Sequence, residues 1–132
     1  MTSPGLEAAP SGTDFWGTTA AQMQSGVTVS GNNITGTLKY ISSGQIVTDW
    51  GEGHFLGIKF TADDWSDYTS VKVGLSPSQG SGLVELLTDD EKIGMFKITS
   101  GTQRLEVVAT DGTNTNTQFY DLTGLVLEGA GT

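Results

Sequence analysis

The residues best suited to chemistry crowd into one stretch, 47–60, which holds the only histidine, His54, with Trp50, the carboxylates Asp49 and Glu52, and the glycines Gly51, Gly53 and Gly57. A histidine beside carboxylates is the raw material of acid–base catalysis, because imidazole changes charge near neutral pH and a carboxylate can fix its tautomer. That chemistry needs Asp49 or Glu52 folded back onto the ring, and the spacing marks no nucleophile. His54 therefore reads as a structural or interface histidine rather than a catalytic one. The Gly51-x-Gly53 spacing overlaps a dinucleotide fingerprint, yet it precedes a strand-like run instead of opening a helix, so phosphate binding fails on context. With no cysteine and one histidine, the usual thiolate and imidazole metal sites are excluded, and no cofactor is expected.

Two further groups have chemical potential. Asp63, Asp64 and Asp67, and separately Asp89, Asp90 and Glu91, offer oxygen ligands of the kind calcium takes, but neither has the alternating ligands and glycine of an EF-hand loop. Clustered carboxylates in a turn are ordinarily solvated. The aromatic group comprises Trp16, Trp50 and Trp65 with Tyr40, Tyr68 and Tyr120. Flat rings stack on sugars and anchor protein interfaces. Each tryptophan stands beside a glycine or an acidic residue, which places it at a corner. Such corners can cap the ends of a core, contact a protein or present a carbohydrate platform. Asn33-Ile34-Thr35 fits the glycosylation pattern but carries no weight without a secretory signal.

These side chains must be positioned by strands. His54, Leu56, Ile58 and Phe60 share one face of a period-two run while Phe55, Gly57 and Lys59 share the other, which makes 54–60 a core strand. Val27 and Val29, a Gly31-Asn32-Asn33 turn and the run 34–41 form a hairpin. Similar alternation appears over 70–75, and strand-like runs follow over 83–87, 93–99, 103–110, 115–122 and 125–128, with Asp111-Gly112 suited to a type I′ turn or a bulged loop. Residues 14–24 can begin with Asp14 as an N-cap and run as one or two helical turns with Phe15, Ala20 and Met23 inward, but Gly17 and its neighbouring threonines oppose helix and an irregular segment is equally acceptable. Residues 1–13 lack a hydrophobic period and read as an extended N-terminal arm ahead of a single domain, 14–132. About eight or nine short strands at this spacing predict an all-β fold, a Greek-key or jelly-roll-like β-sandwich or a small barrel, with at most one short helix.

Composition sets outer bounds. A chain of 132 residues suits one core, and 19 glycines with only 16% charged residues favour strands and turns. Six basic against 15 acidic residues give a net charge of −9, which repels phosphate backbones and anionic membranes, so neither nucleic acid nor membrane is an expected partner. The N-terminal residues show neither a basic region nor an apolar stretch of the secretory type, and the expectation is a soluble product of the cytoplasm.

The Pro/Gly/Ala arm, Gly12-Thr13-Asp14-Phe15-Trp16-Gly17, Leu38-Lys39-Tyr40 followed by Val47-Thr48-Asp49-Trp50-Gly51, and the pair Val71-Lys72-Val73-Gly74-Leu75 and Gly82-Leu83-Val84-Glu85 together resemble the small glycine-rich virion proteins of tailed-phage head modules. The resemblance spans most of 12–128 and is one of texture and order, without a catalytic or metal motif. It implies a non-enzymatic head decoration (capsid cement) protein, made in the bacterial host cytoplasm and bound to the capsid exterior. Its partners would be the major capsid protein and copies of itself, a trimer at a local symmetry axis being one arrangement. On that reading the contact residues are Pro4, Leu6 and Pro10 of the arm with Phe15, Trp16, Trp50 and Trp65. A carbohydrate-binding β-sandwich module and a phage tail-tube subunit are the alternatives.

Overall fold

Period-two patterning becomes strand almost wherever it occurs in the computed structural model, which describes residues 3–15, 17–42, 52–76, 92–98 and 104–129. Among the described residues the strands are β1 (Gly5–Ala8), β2 (Asp14–Phe15), β3 (Thr18–Thr19), β4 (Gln24–Ser30), β5 (Asn33–Ile41), β6 (Gly53–Thr61), β7 (Ser70–Ser76), β8 (Lys92–Ile98), β9 (Arg104–Thr110) and β10 (Thr115–Glu128). A single helical turn, α1 (Ala20–Met23), and a 3-10 turn (Trp65–Asp67) complete the set. The fold is all-β. The strand expected at 83–87 and the corner around Trp50 lie outside the described residues.

The sheet has two branches joined through β5. One branch holds β4, β5, β10, β9 and β7; the other holds β6 between β1 and β8, and β5 reaches it only through Tyr40↔His54 and Ile41↔Gly53. A strand shared between layers makes a corner, and the sheet curls there into a half-barrel. Both branches contribute to the main core, in which Leu56, Ile58 and Phe60 of β6 meet Ile34, Leu38, Phe96, Leu105, Val107, Leu122 and their neighbours. The pairing of β10 with β5 is parallel, from Gly124↔Thr35 to Glu128↔Lys39, whereas the other pairings are antiparallel.

The opposite face of β6 is also covered. Phe55 packs there with Ile93 and Met95 of β8 under Ala9, Phe15, Ala20 and Met23, so β6 is buried on both faces along most of its length. Gly57 permits this: a Cβ at that position would stand 2.7 Å from Phe15 Cζ and 3.3 Å from the Ala9 Cβ. Only a residue without a side chain lets the N-terminal layer approach. The same residue solves a hydrogen-bonding problem on one edge of β6, where β5 covers the start and β1 covers the end. Between them the Gln24 side chain substitutes for a strand: Nε2 donates to the Gly57 carbonyl (3.1 Å) and Oε1 accepts from the Gly57 N–H (2.8 Å). The buried amide thus satisfies the Gly57 N–H and shares the Gly57 carbonyl with the Ala9 N–H (3.1 Å).

Three sequence expectations change in detail. No helix starts at Asp14: Asp14 and Phe15 pair with Thr18 and Thr19, the Asp14 carboxylate accepts from the Gly17 N–H (3.2 Å), and Gly17 sits at φ 101°. The helical turn waits until Ala20, where the Gln22 side chain accepts from the Thr19 N–H (2.8 Å), because Gly17 and the threonines disfavour helix before that point. The inward set of Phe15, Ala20 and Met23 is nonetheless buried as the pattern indicates. Residues 115–128 form one strand rather than two, bulged between Asp121 and Gly124, with the Asp121 carboxylate accepting from the Thr123 N–H (2.8 Å). Finally, part of the stretch read as an arm is docked. β1 pairs along β6, Leu6 packs on the main core, and Pro4 and Ala9 are buried. An edge strand of four residues is too short for its alternation to stand out in sequence.

Candidate functional site

The two ends of β6 bring together most of the side chains with chemical potential. At its start, His54 is 9% exposed and packs edge-on against Tyr40, with ring centroids 5.7 Å apart. Its Nε2 lies 2.9 Å from the Glu128 carbonyl oxygen, which can only accept, so Nε2 is the donor in this bond. Glu52 does not reach the imidazole in an acid–base pair. It accepts from the Tyr40 hydroxyl, and that bond, followed by burial and the carboxylate's charge, raises the Tyr40 pKa above the ordinary phenol value. The arrangement ties the end of β10 to the junction of β5 and β6. It is a hydrogen-bonded corner in which His54 is buried and Glu52 exposed, and Asp49 and Trp50 lie outside the described residues.

At the other end, the chain leaves β6 through Thr61, Ala62 and Asp63 into the 3-10 turn. Asp64 caps that turn, its carboxylate accepting from the Ser66 hydroxyl (2.7 Å) and the Ser66 N–H (2.9 Å), and these bonds lower its pKa. The turn closes through Asp67 N–H to the Asp64 carbonyl and Tyr68 N–H to the Trp65 carbonyl, and Thr69 anchors it to Thr110 by backbone and hydroxyl bonds of 2.8 and 3.1 Å. Trp65 and Tyr68 emerge on one side, centroids 5.9 Å apart and planes inclined by 49°, with Trp65 packed against the main core. Their rings, with Phe60, Val71 and Val73, line a surface pocket of about 210 Å³.

Next to that pocket, and sharing Tyr68 with it, is an open groove of about 700 Å³. One flank is Ser3 and Gly5 beside β1; the other carries Asp63, Asp64, Asp67 and, from the β9–β10 loop, Asp111. Asp111 is fixed by its own loop, accepting from the N–H groups of Asn114 (2.7 Å) and Thr113 (2.8 Å), which lower its pKa. Burial, then the charges of Asp67 and Asp63, raise the pKa of Tyr68, so the acidic field reaches the aromatic pocket. The carboxylates do not converge as a cation cage: among the described residues no group of three acidic, histidine or cysteine side chains is arranged to hold a metal. The Asp89 to Glu91 cluster lies outside the described residues.

The contact residues expected from sequence are scattered. Trp65 lines the pocket and is half-buried, Pro4 is buried, Leu6 is half-buried on the main core, and Pro10 is exposed. Phe15 is wholly buried and serves packing. Trp16 and Trp50 lie outside the described residues. Sequence reasoning did not place Phe60, Val71 and Val73 with the aromatic pair, nor Asp111 beside Asp63 and Asp67. The Asp-Asp-Trp-Ser-Asp-Tyr run was a visible signal for the turn; nothing local could bring in Asp111 from 44 positions beyond Asp67. Compared with family models, curated proteins and solved structures, the chain matches none.

Proposed function

We propose that this chain is a non-enzymatic binding protein that decorates the outer surface of a tailed-phage capsid and stabilises the shell. The sequence resemblance supplies the class. The observation that carries it at the level of geometry is the groove between the docked N-terminal segment and the 63–68 turn, where a partner surface would touch two separate parts of the chain at once. A net charge of −9 keeps such a protein dispersed and apart from nucleic acid until it meets a complementary surface. Binding confined to the assembled lattice stabilises that lattice by mass action, and attachment through several copies multiplies the effect.

The test uses purified full-length chain and shells of the major capsid protein encoded beside it. Saturable occupancy of expanded shells, seen by electron microscopy, and a raised shell melting temperature are expected. No occupancy would overturn the proposal. Polymerisation of the isolated chain into stacked rings would replace it with the tail-tube reading, and saturable polysaccharide binding with no shell binding would replace it with the carbohydrate reading.

A further inference from the structure

The pocket at the end of β6 has features that select one kind of occupant. At about 210 Å³ it is smaller than the roughly 300–1,000 Å³ typical of small-molecule sites, so it suits a single side chain better than a cofactor or an oligosaccharide. Its lining is mainly apolar and aromatic, Phe60, Val71 and Val73 with the Trp65–Tyr68 pair, and Thr69 and Ser70 complete it. The inclined, half-buried rings make a slot rather than the flat exposed platform on which a sugar stacks. Asp63, Asp64, Asp67 and Asp111 line the adjoining groove, which shares Tyr68 with the pocket.

A mainly apolar and aromatic slot beside an anionic groove is complementary to a long side chain with a hydrocarbon stem and a delocalised cation. We propose that the Trp65–Tyr68 pocket takes an arginine side chain presented by a partner protein. The stem lies on Phe60, Val71 and Val73, the guanidinium stacks on an aromatic ring, and its outer N–H groups turn toward Asp67 and Asp63. Arginine fits better than lysine because a planar guanidinium stacks and donates in its plane at the same time. A neutral glycan gains nothing from the acidic groove. The inference rests on the chain being a binding protein, and it names the chemistry that its partner must offer.

The experiment titrates ¹⁵N-labelled full-length protein with the peptide acetyl-Ala-Arg-Ala-amide and with the same peptide carrying citrulline, which keeps the shape of arginine and removes its charge. The Trp65 indole N–H and the amides of Val71 and Val73 should shift saturably with the arginine peptide, with a dissociation constant on the order of millimolar. The citrulline peptide should bind at least about fivefold more weakly, and raising the salt from about 0.05 to 0.5 M should weaken the arginine peptide several-fold. Asp67→Asn, at an exposed position, should weaken it about two- to fivefold while leaving the rest of the spectrum in place. Equal response to both peptides, no saturable shift at about 50 mM, or saturation of the same signals by a glucose oligomer and not by arginine would each overturn the assignment. No capsid enters this experiment, so its failure removes the arginine pocket alone, whereas empty shells remove the decoration reading alone.

Discussion

The two ends of β6 carry the same ingredients, an aromatic pair and nearby carboxylates, and use them oppositely. At the start, the Tyr40 hydroxyl is spent on Glu52 and His54 Nε2 on the Glu128 carbonyl, and the rings meet edge to face. At the end, Asp64 is spent on its own turn, but the Trp65–Tyr68 pair leaves a pocket and the neighbouring carboxylates face a groove. The difference lies in what surrounds each end. Among the described residues, the first lies against the end of the parallel seam of β5 and β10, whereas the second is flanked by its own turn, the start of β1, the β9–β10 loop and β7. Residue type therefore nominates both corners, and packing makes one a joint and the other a surface.

The strongest blow to this contrast falls on the layer that holds both ends in place. Phe15→Ala should lower stability by about 3–5 kcal/mol in urea unfolding, since the ring is fully buried over Gly57. A variant that instead melts normally and loses partner binding would make the N-terminal layer a contact surface. His54→Phe probes the start of β6, where it keeps the ring and removes the bond to Glu128. A loss of about 0.5–1.5 kcal/mol with unchanged shell binding is expected, and reduced binding at unchanged stability would turn the joint into a site.

The smallest effect separates the ends by their tyrosines. Both have raised pKa values, Tyr40 chiefly through its bond to Glu52 and Tyr68 chiefly through burial. A raised phenol contributes stability that is present below the unfolded value of about 10 and is lost as pH rises through the folded value. Glu52→Gln should move the Tyr40 titration down toward that unfolded value, while Asp67→Asn should move Tyr68 less, because its first cause remains. Tyrosine absorbance titration measures both; equal movement in the two variants would erase the distinction.

Much of the secondary structure was legible because short apolar or alternating runs separated by turn residues mark β4 through β10, and the burial of Phe15, Ala20 and Met23 was legible from their inward spacing. The docking of β1 was not, since Leu6 and Ala8 gain meaning only opposite Phe60 and Ile58. The part played by Gln24 was equally hidden: a glutamine at the head of a strand looks solvent-facing until the gap beside Gly57 exists for it to fill. Of the candidate surface, the 63–68 turn could be read from its acidic and aromatic residues, while Phe60, Val71, Val73 and Asp111 required the fold.

By itself the sequence determined the local choices. Alternation selected strands, Gly17 and the threonines kept residues 14–19 out of a helix, and the excess of carboxylates set the sign of any surface the protein presents. Tertiary structure decided which of those strands met, and through that the fate of His54 and Trp65. Pairing across dozens of residues, such as the parallel seam of β5 with β10, is selected by the burial of a whole face rather than by any residue along it. That burial tied one end of β6 to the end of β10 and left a pocket and a groove beside the other.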